Sequence, residues 1–211
     1  MKKYIIIAMI LTGCGKDCAT YVNPVSSSTV TASEAEDISR IIQEENDYRF
    51  SIGQSPLSQG LTCNTYTGLS NSLTAFPTSL PSAAATFAYI GEFNQPNTSV
   101  SVGLNVLPTA LRTQSAYLQW YALRCSGYIV VTSSGFQSFE LTSDDAGLLY
   151  IDNVKVVDND GNHGAITKTG SRNLKRGVHS IRIDYMQGPA GNQALIIKSN
   201  GVIIPANKLF R

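Results

Sequence analysis

The stretch LTSDDAGLLYIDN, Leu141 to Asn153, places two adjacent carboxylates between segments that have the composition of β-strands. The two acids are Asp144 and Asp145, and an apolar run begins directly after them. Neighbouring anions repel each other unless a positive charge holds them. In a chain with only 15% charged residues, such a pair indicates a specific role at the boundary between two strands.

Short strand-like segments separated by turn residues lie on both sides of the pair. β-branched runs and alternating patterns predict the following strands: Tyr128–Thr132, Phe136–Thr142, Gly147–Asp152, Ser180–Tyr185 and Ala194–Lys198. Many short strands and a single helix signal predict an all-β protein, a sandwich or a barrel, over residues 60–211.

One amphipathic helix with a short linker is predicted upstream of the strands, within residues 33–55. The segment Ser33–Glu36 matches a capping box, in which a serine and a glutamate satisfy each other's backbone amides. Ile38, Ile41 and Ile42 follow with helical spacing, which predicts a helix from about Ser33 to Phe50. The apolar side can pack on the domain or on a neighbouring molecule, so self-association through the helix is one expectation.

The first residues have the order of a secretory signal. Lys2 and Lys3 precede an apolar run of eight residues that ends at Leu11. As a helix, such a run is about 12 Å long, which is too short to cross a membrane. The segment Leu11–Cys14 resembles the lipobox of bacterial lipoproteins. This resemblance implies a signal peptide over residues 1–13 and a lipid on Cys14; the alternative is an ordinary signal followed by a chance cysteine.

The residues after Cys14 predict the location. Residues 14–32 are small and polar, which is typical of a flexible tether. In lipoprotein sorting, an aspartate directly after the lipidated cysteine retains the protein at the inner membrane, and this chain has Gly15 there. We therefore expect a lipid-anchored protein of the bacterial cell envelope, at the outer membrane or cell surface, that contacts the membrane through its lipid alone.

Three further cysteines follow Cys14 in the sequence. Cys63 and Cys125 both lie in apolar, strand-like contexts and can form one disulfide in an oxidising compartment. Two buried free thiols are the alternative. Cys18 is left over in the tether, and no Cys/His spacing supports a zinc site.

Several function classes find no support in the composition or the motifs. A formal charge of +1 and the absence of a basic stripe argue against nucleic acid as a partner. The two histidines, His163 and His179, do not accompany a nucleophile motif, and adjacent carboxylates cannot flank a glycosidic bond. No phosphate-binding glycine-rich loop precedes a helix. These observations predict a protein that is not an enzyme.

Metal binding is one use of the acidic residues. The segment Asp158–Gly161 does not fit a calcium loop of the EF-hand type, because the twelfth position would be Thr167 in place of a glutamate; a tight polar turn fits better. Asp144 and Asp145 can coordinate one hard cation such as Ca²⁺, whose charge relieves their repulsion. In the alternative interpretation each aspartate caps a turn.

The segment Phe139–Asp152 resembles the signature of the protective antigen fourteen domain, an antiparallel β-sandwich found in a bacterial toxin subunit, in glycosidases and in yeast adhesins. Further similarities extend over about Gly60 to Phe210, and the likeness is strong from Gly127 to Tyr185. They comprise Gly60-Leu61 with Tyr66, Gly127–Ile129, Gly135-Phe136, Val156–Gly164 and Leu174–Tyr185.

This resemblance implies a role for the acidic pair. In the adhesin branch the paired aspartates are joined by a cis peptide and bind Ca²⁺, which ligates sugar hydroxyls. The adhesins supply an asparagine ligand from the loop after the strand that ends here at Tyr185. Gln187 is the nearest equivalent in this chain, and Asn192 lies in the same loop. The resemblance thus implies Asp144, Asp145 and Gln187 as metal ligands, with Asn192 as a further ligand-binding residue.

The combined expectation is a surface-anchored lipoprotein whose sandwich binds carbohydrate or another cell-surface ligand through Ca²⁺. The alternative is a structural subunit of a surface assembly that uses the same sandwich for protein contacts. Since modules of this kind occur with different functions, the fold alone does not decide between the two.

Overall fold

The computed structural model describes residues 20–22 and 30–211. The predicted signal peptide and its lipidation site, Cys14, lie outside these residues, as does most of the predicted tether. Within the tether, Thr20–Val22 forms a strand. No helix of the described residues is long and apolar enough to cross a membrane.

The described chain consists mainly of strands. They are β1 (Thr20–Val22), β2 (Leu61–Tyr66), β3 (Ala85–Ile90), β4 (Asn94–Ser99), β5 (Tyr121–Val131), β6 (Gly135–Asp144), β7 (Ala146–Ile151), β8 (Val154–Asn159), β9 (Ile166–Leu174), β10 (Gly177–Gln187), β11 (Asn192–Ser199), β12 (Val202–Ile203) and β13 (Leu209–Phe210). The helices are α1 (Ala32–Ser51) and the single turn α2 (Thr109–Arg112), with 3-10 turns at Val100–Val102, Ser115–Tyr117 and Ala206–Lys208.

The strands form two sheets that pack face to face. The larger sheet has eight strands in the order β1-β3-β2-β5-β10-β7-β8, with β13 paired to β5. The smaller sheet has five strands in the order β12-β11-β6-β9, with β4 paired to β11. Pairing is antiparallel except between β1 and β3. The predicted antiparallel β-sandwich preceded by one helix is thereby confirmed.

The core lies between the sheets, because alternate residues of each strand face inward. Leu149 and Ile183 of the larger sheet belong to the same buried cluster as Leu141 and Leu195 of the smaller one. Burial of each such side chain stabilises the fold by about 1.5–3 kcal/mol. In β10, Ile181, Ile183 and Tyr185 are buried as the alternation predicts. Asp184 on the opposite face is also buried, where it pairs with Arg124.

Helix α1 begins one residue before the predicted Ser33, and the residue that caps it lies two residues before the predicted cap. Its N-cap is Thr31, whose hydroxyl accepts a hydrogen bond from the Glu34 N–H at 3.2 Å, so the predicted cap at Ser33 is wrong. The spacing from Thr31 to Glu34 has the same Ser/Thr-x-x-Glu form as the Ser33–Glu36 motif. The sequence offers two overlapping capping motifs, and the earlier one starts the helix.

The apolar side of α1 packs on the outer face of the larger sheet. Ile38 and Ile41 are buried against Val130 of β5, with Val178 of β10 at the margin of the same cluster. Arg176 lies 3.6 Å from Glu44 of the helix, which adds an ion pair to this contact. Of the two packing arrangements considered from the sequence, the structure has the helix on its own domain.

The structure joins Cys63 and Cys125 in a disulfide. The two residues are direct partners in the β2–β5 ladder, and their Cα atoms are 4.0 Å apart. The bridge therefore links neighbouring strands at the centre of the larger sheet.

Candidate functional site

The acidic pair lies at one end of the sandwich, where the chain passes from one sheet to the other. Strand β6 of the smaller sheet ends at Asp144, and β7 of the larger sheet begins at Ala146. The peptide bond between Asp144 and Asp145 is cis. Their exposed fractions are only 7% and 6%. The structure thus holds two carboxylates side by side and largely out of water.

Backbone amides from two other loops bind the carboxylate of Asp145. The N–H of His163 donates to Oδ1 at 3.0 Å, and the N–H of Gly188 donates to Oδ2 at 2.8 Å. Hydrogen bonds to the ionised form favour it and oppose the effect of burial. Asp145 is therefore the point at which the loop after β8 and the loop after β10 meet.

Gln187 is completely buried beside Asp145. Its amide nitrogen donates to Oδ2 of Asp145 at 3.3 Å and to the carbonyl oxygens of Pro189 and Asn192 at 3.2 and 3.1 Å. Its amide oxygen lies 2.6 Å from the Tyr185 hydroxyl. Three acceptors around the nitrogen determine this orientation of the amide. The oxygen that was expected to serve as a metal ligand faces Tyr185 instead of the pair.

The electrostatics of the site penalise two negative charges. Burial, and next the charge of Asp145, raises the pKa of Asp144 from 3.8 to about 6. Burial also raises the pKa of Asp145, although the backbone hydrogen bonds from Gly188 and His163 act in the opposite direction. Within the described part of the chain, neither carboxylate forms an ion pair with a lysine or arginine. A bound cation would remove this penalty.

Several buried polar side chains lie next to the pair. The Tyr185 hydroxyl lies 2.7 Å from the carbonyl oxygen of Asp144. Burial raises the pKa of Tyr185 well above its usual value. The amide nitrogen of Asn159 donates to the Ser143 hydroxyl at 2.7 Å. Gln193 is also fully buried, and within the described residues neither polar atom of its side chain has a hydrogen-bond partner. The hydrogen bonds of Tyr185 and Asn159, and not the side chain of Gln193, hold this end of the sandwich.

Asn162 brings an amide oxygen close to the pair. Its side-chain nitrogen donates to the carbonyl oxygen of Leu73 at 2.8 Å, so the amide oxygen Oδ1 points away from Leu73. A Cβ atom added to Gly188 would lie 3.0 Å from Oδ1 of Asn162 and 3.1 Å from Oδ2 of Asp145. The two oxygens therefore border the same point at the open end of the sandwich.

Asn192, the other predicted ligand-binding residue, has an exposed side chain at the start of β11. Its carbonyl oxygen accepts from Gln187, and its side chain forms no hydrogen bond with the pair within the described residues. The structure thus brings Asp144, Asp145 and Gln187 together and places Asn192 at their margin.

Trp120, the single tryptophan of the chain, lies next to the site. Its N–H donates to the carbonyl oxygen of Gly188 at 3.0 Å, and its φ of 53° is in the left-handed region. The residue is half-buried. The short loop after β10 has no aromatic residue of its own. Because Trp120 stands 67 positions before Gln187 in the chain, the loop acquires this aromatic neighbour only in the folded protein.

Several residues of the site were not expected from the sequence. His163, Asn162 and Gly188 contact or border Asp145 from loops 17 or more residues away. His163, which accompanies no nucleophile motif in the sequence, contacts Asp145 through its backbone N–H. The turn segment Asp158–Gly161 marks this loop in the sequence. In the structure, the buried Asn159 of that segment contacts Ser143, the residue before the pair.

The donor groups fit a hard divalent cation such as Ca²⁺. Such an ion takes carboxylate, amide and carbonyl oxygens as ligands. Asp144 and Asp145 offer carboxylate oxygens, and Asn162 offers an amide oxygen. Among the described residues, no three His, Cys, Asp or Glu side chains cluster to form a metal site. An ion here would therefore take amide, backbone or water oxygens in addition to the two carboxylates.

Two packed sheets and an acidic pair between end loops define a β-sandwich with a candidate ligand site at its end. The family model of the PA14 domain, named after protective antigen fourteen, matches residues 107–203. The fold is PA14-like, which agrees with the resemblance noted in the sequence. No curated protein matches the chain.

Solved structures show the same fold at low sequence identity. The PA14 sugar-binding domain from an RTX adhesin is 21% identical, with a TM-score of 0.55 over 72% of this chain and 98% of that chain. The PA14 domain of the MpAFP antifreeze protein is 19% identical, with a TM-score of 0.54 over 73% and 91%. The Epithelial Adhesin 6 A domain from Candida glabrata, in complex with Galb1-3GlcNAc, is 14% identical, with a TM-score of 0.53 over 72% and 87%.

Proposed function

We propose that this chain is a non-catalytic binding module of the cell surface, which binds carbohydrate through a Ca²⁺ ion held by Asp144 and Asp145. One observation carries the proposal: two adjacent carboxylates are buried at the open end of the sandwich, and no lysine or arginine of the described residues forms an ion pair with them. Burial raises the pKa of both carboxyl groups and outweighs the charge of His163, which lowers it. The same end carries the two loops that meet at Asp145. The sugar-binding and adhesin domains with the same fold support the class of ligand.

In this proposal Asp144, Asp145 and Asn162 hold the ion. Bound Ca²⁺ supplies a positive charge and open coordination positions for hydroxyl oxygens. Gln187 positions Asp145 through its amide nitrogen and takes a supporting role in place of the predicted ligand role. Trp120, whose backbone is hydrogen-bonded to Gly188, and the exposed residues of the loop after β10 are the candidates for contact with the sugar.

Calorimetric titration of the metal-stripped protein with Ca²⁺ tests the ion. We expect heat with about one site per chain and a rise in melting temperature, because a ligand selective for the native state stabilises it. Asp144→Asn should abolish both. Asp158→Asn is the matched control, since Asp158 is exposed and pairs with Lys155. A flat titration of the parent protein would contradict the proposal.

A glycan array with and without chelator tests the ligand. We expect calcium-dependent binding to a subset of sugars and its loss in Asp144→Asn. Tryptophan fluorescence provides a second readout, because Trp120 is the single tryptophan and is hydrogen-bonded to the loop of the site. Calcium binding without any glycan signal would favour the structural alternative.

The alternative function, a structural subunit that assembles through protein contacts, has one observation in its favour. Tyr48, Phe50 and Ile52 at the end of α1 are 60%, 85% and 50% exposed, and exposed apolar residues that form a contiguous patch often mark an interaction site. Concentration-dependent self-association that is lost in Phe50→Ser would support it.

The lipid anchor remains part of the proposal through the Leu11–Cys14 motif alone. Cys14→Ser should leave the precursor uncleaved and abolish labelling by a fatty-acid analogue. Cys18→Ser is the matched control for the loss of a cysteine nearby. Unchanged processing and membrane fractionation of Cys14→Ser would contradict the anchor.

A further inference from the structure

The outer face of the larger sheet is covered at both ends and open in the middle. Helix α1 covers one end through Ile38 and Ile41. Residues 67–84 cover the other end, where Phe76 is buried against Leu148 and Met186. Between these covers lies an open groove of about 380 Å³. This volume is within the range of small-molecule sites.

The floor of the groove is a row of residues across four strands. Thr62 pairs with Ser126, Ser126 with Arg182, and Arg182 with Tyr150. Since neighbouring strands are about 4.8 Å apart, the row is about 14 Å long. Ser180 lines the groove beside it. The floor therefore offers three short hydroxyl side chains next to one guanidinium group.

The positive charge of Arg182 is only partly neutralised, because the Asp184 carboxylate with which it pairs is shared with Arg124. In the neighbouring row, Asp184 accepts two hydrogen bonds from Arg124, at 2.6 and 2.9 Å. Arg182 lies 3.3 Å from the same carboxylate, so one acid faces two arginines. Arg211 also lines the groove, and no acidic residue of the described chain does so.

The Arg182 guanidinium is held in place before any ligand arrives. It lies 3.7 Å from the centre of the Tyr150 ring. Stacking on an aromatic ring fixes the plane of a guanidinium while leaving its edge donors available for a carboxylate. Within the described residues no hydrogen bond occupies the two Nη donors of Arg182. The buried Nε atom faces the carboxylate of Asp184 at 3.3 Å and is not available to a ligand.

We infer that this groove binds a saccharide that carries a carboxylate, independently of the acidic pair. The hydroxyl row suits the hydroxyl groups of a sugar, and the guanidinium suits its carboxylate. A peptide that adds a strand fits less well, because strand addition requires an exposed sheet edge. The groove lies over the central strands β5 and β10, whose backbones are paired on both sides.

The groove and the acidic pair are separate sites. Arg182 and Gln187 lie on the same strand, five residues apart, which corresponds to about 17 Å. Binding in the groove therefore requires no Ca²⁺. For this reason the inference stands or fails independently of the proposed calcium site.

Titration of the metal-stripped chain with trigalacturonic acid, in the presence of chelator, tests the inference. We expect saturable binding that weakens about ten-fold or more in Arg182→Gln, because a charge-assisted hydrogen bond is lost. Arg40→Gln removes the same charge from the exposed face of α1 and is the matched control. Asp144→Asn should bind as the parent does.

Backbone NMR shifts of the parent protein give a second measurement that does not depend on a variant. Trigalacturonic acid should shift Ser126, Tyr128 and Ser180 and leave His163 and Gly188 unchanged. The inference is overturned by absence of binding, by equal binding of the neutral trisaccharide maltotriose, or by equal losses in Arg182→Gln and Arg40→Gln. Equal or tighter binding of inorganic phosphate or a hexa-aspartate peptide would overturn the saccharide assignment.

Discussion

The amide nitrogen of Gln187 faces Oδ2 of Asp145 at 3.3 Å, and the amide oxygen faces the Tyr185 hydroxyl at 2.6 Å. This orientation makes Gln187 a donor to the acidic pair. A residue that donates to a carboxylate positions it and does not itself coordinate a cation through the same atom. The role of Gln187 is therefore separable from that of the two aspartates by experiment.

Gln187→Ala should lower the stability of the metal-free protein. The carbonyl oxygens of Pro189 and Asn192 would lose a buried donor, which costs about 1–3 kcal/mol of unfolding free energy. The gain in melting temperature on calcium binding should largely remain. Calorimetry with and without Ca²⁺ measures both effects, and Gln114→Ala on the exposed surface is the control. Complete loss of the calcium gain at unchanged metal-free stability would identify Gln187 as a direct ligand.

Gly188→Ala should weaken calcium binding with little effect on the metal-free fold. The added methyl group would lie 3.0 Å from Oδ1 of Asn162 and 3.1 Å from Oδ2 of Asp145, so both oxygens must move by a few tenths of an ångström. Gly191→Ala is a matched control in the same loop, because no atom lies within 4 Å of its added Cβ. We expect a calcium affinity reduced several-fold, about 1 kcal/mol, in the first variant alone. Equal affinities of the two variants would argue against a site at this point.

The metal-free protein should lose stability as the pH rises through the titration of Asp144. The folded protein binds this proton up to a pKa of about 6, and the unfolded chain up to a pKa near 3.8. Between these values the native state binds more protons, so the unfolding free energy contributed by Asp144 falls as the pH rises. Asp144→Asn removes this dependence.

Melting temperatures of the metal-stripped parent and of Asp144→Asn between pH 4 and pH 7.5 test whether stability falls as the pH rises. The advantage of Asp144→Asn over the parent should be largest above about pH 6 and shrink toward pH 4. A difference that does not change with pH would show that the carboxyl group has an ordinary pKa. Asp158→Asn is the control, because the hydrogen bond from Lys155 lowers the pKa of Asp158.

The disulfide between Cys63 and Cys125 closes a loop with a sequence separation of 62. Its reduction should lower the unfolding free energy by about 2–4 kcal/mol, mainly because the unfolded chain gains entropy. Mass spectrometry of unreduced peptides should recover the linked pair. Two thiols at these positions that react with an alkylating agent before reduction would exclude the bridge.

Local patterns in the sequence determined much of the fold and half of the site. Alternation in Ser180–Tyr185 reports one buried face, because side chains in a strand point to opposite sides in turn. The adjacency of Asp144 and Asp145 is a property of the chain itself. The helix was also predictable, although its cap was placed at Ser33 in place of Thr31, since two capping motifs overlap there.

The tertiary structure alone decided which groups surround the pair and where the groove lies. His163 and Gly188 reach Asp145 from 18 and 43 residues away, and the row from Thr62 to Tyr150 depends on the strand order β2-β5-β10-β7. The orientation of the Gln187 amide follows from acceptors contributed by three other residues. A side-chain pattern encodes which face of a strand is buried, whereas hydrogen-bond partners across a sheet depend on which strands become neighbours and in which register.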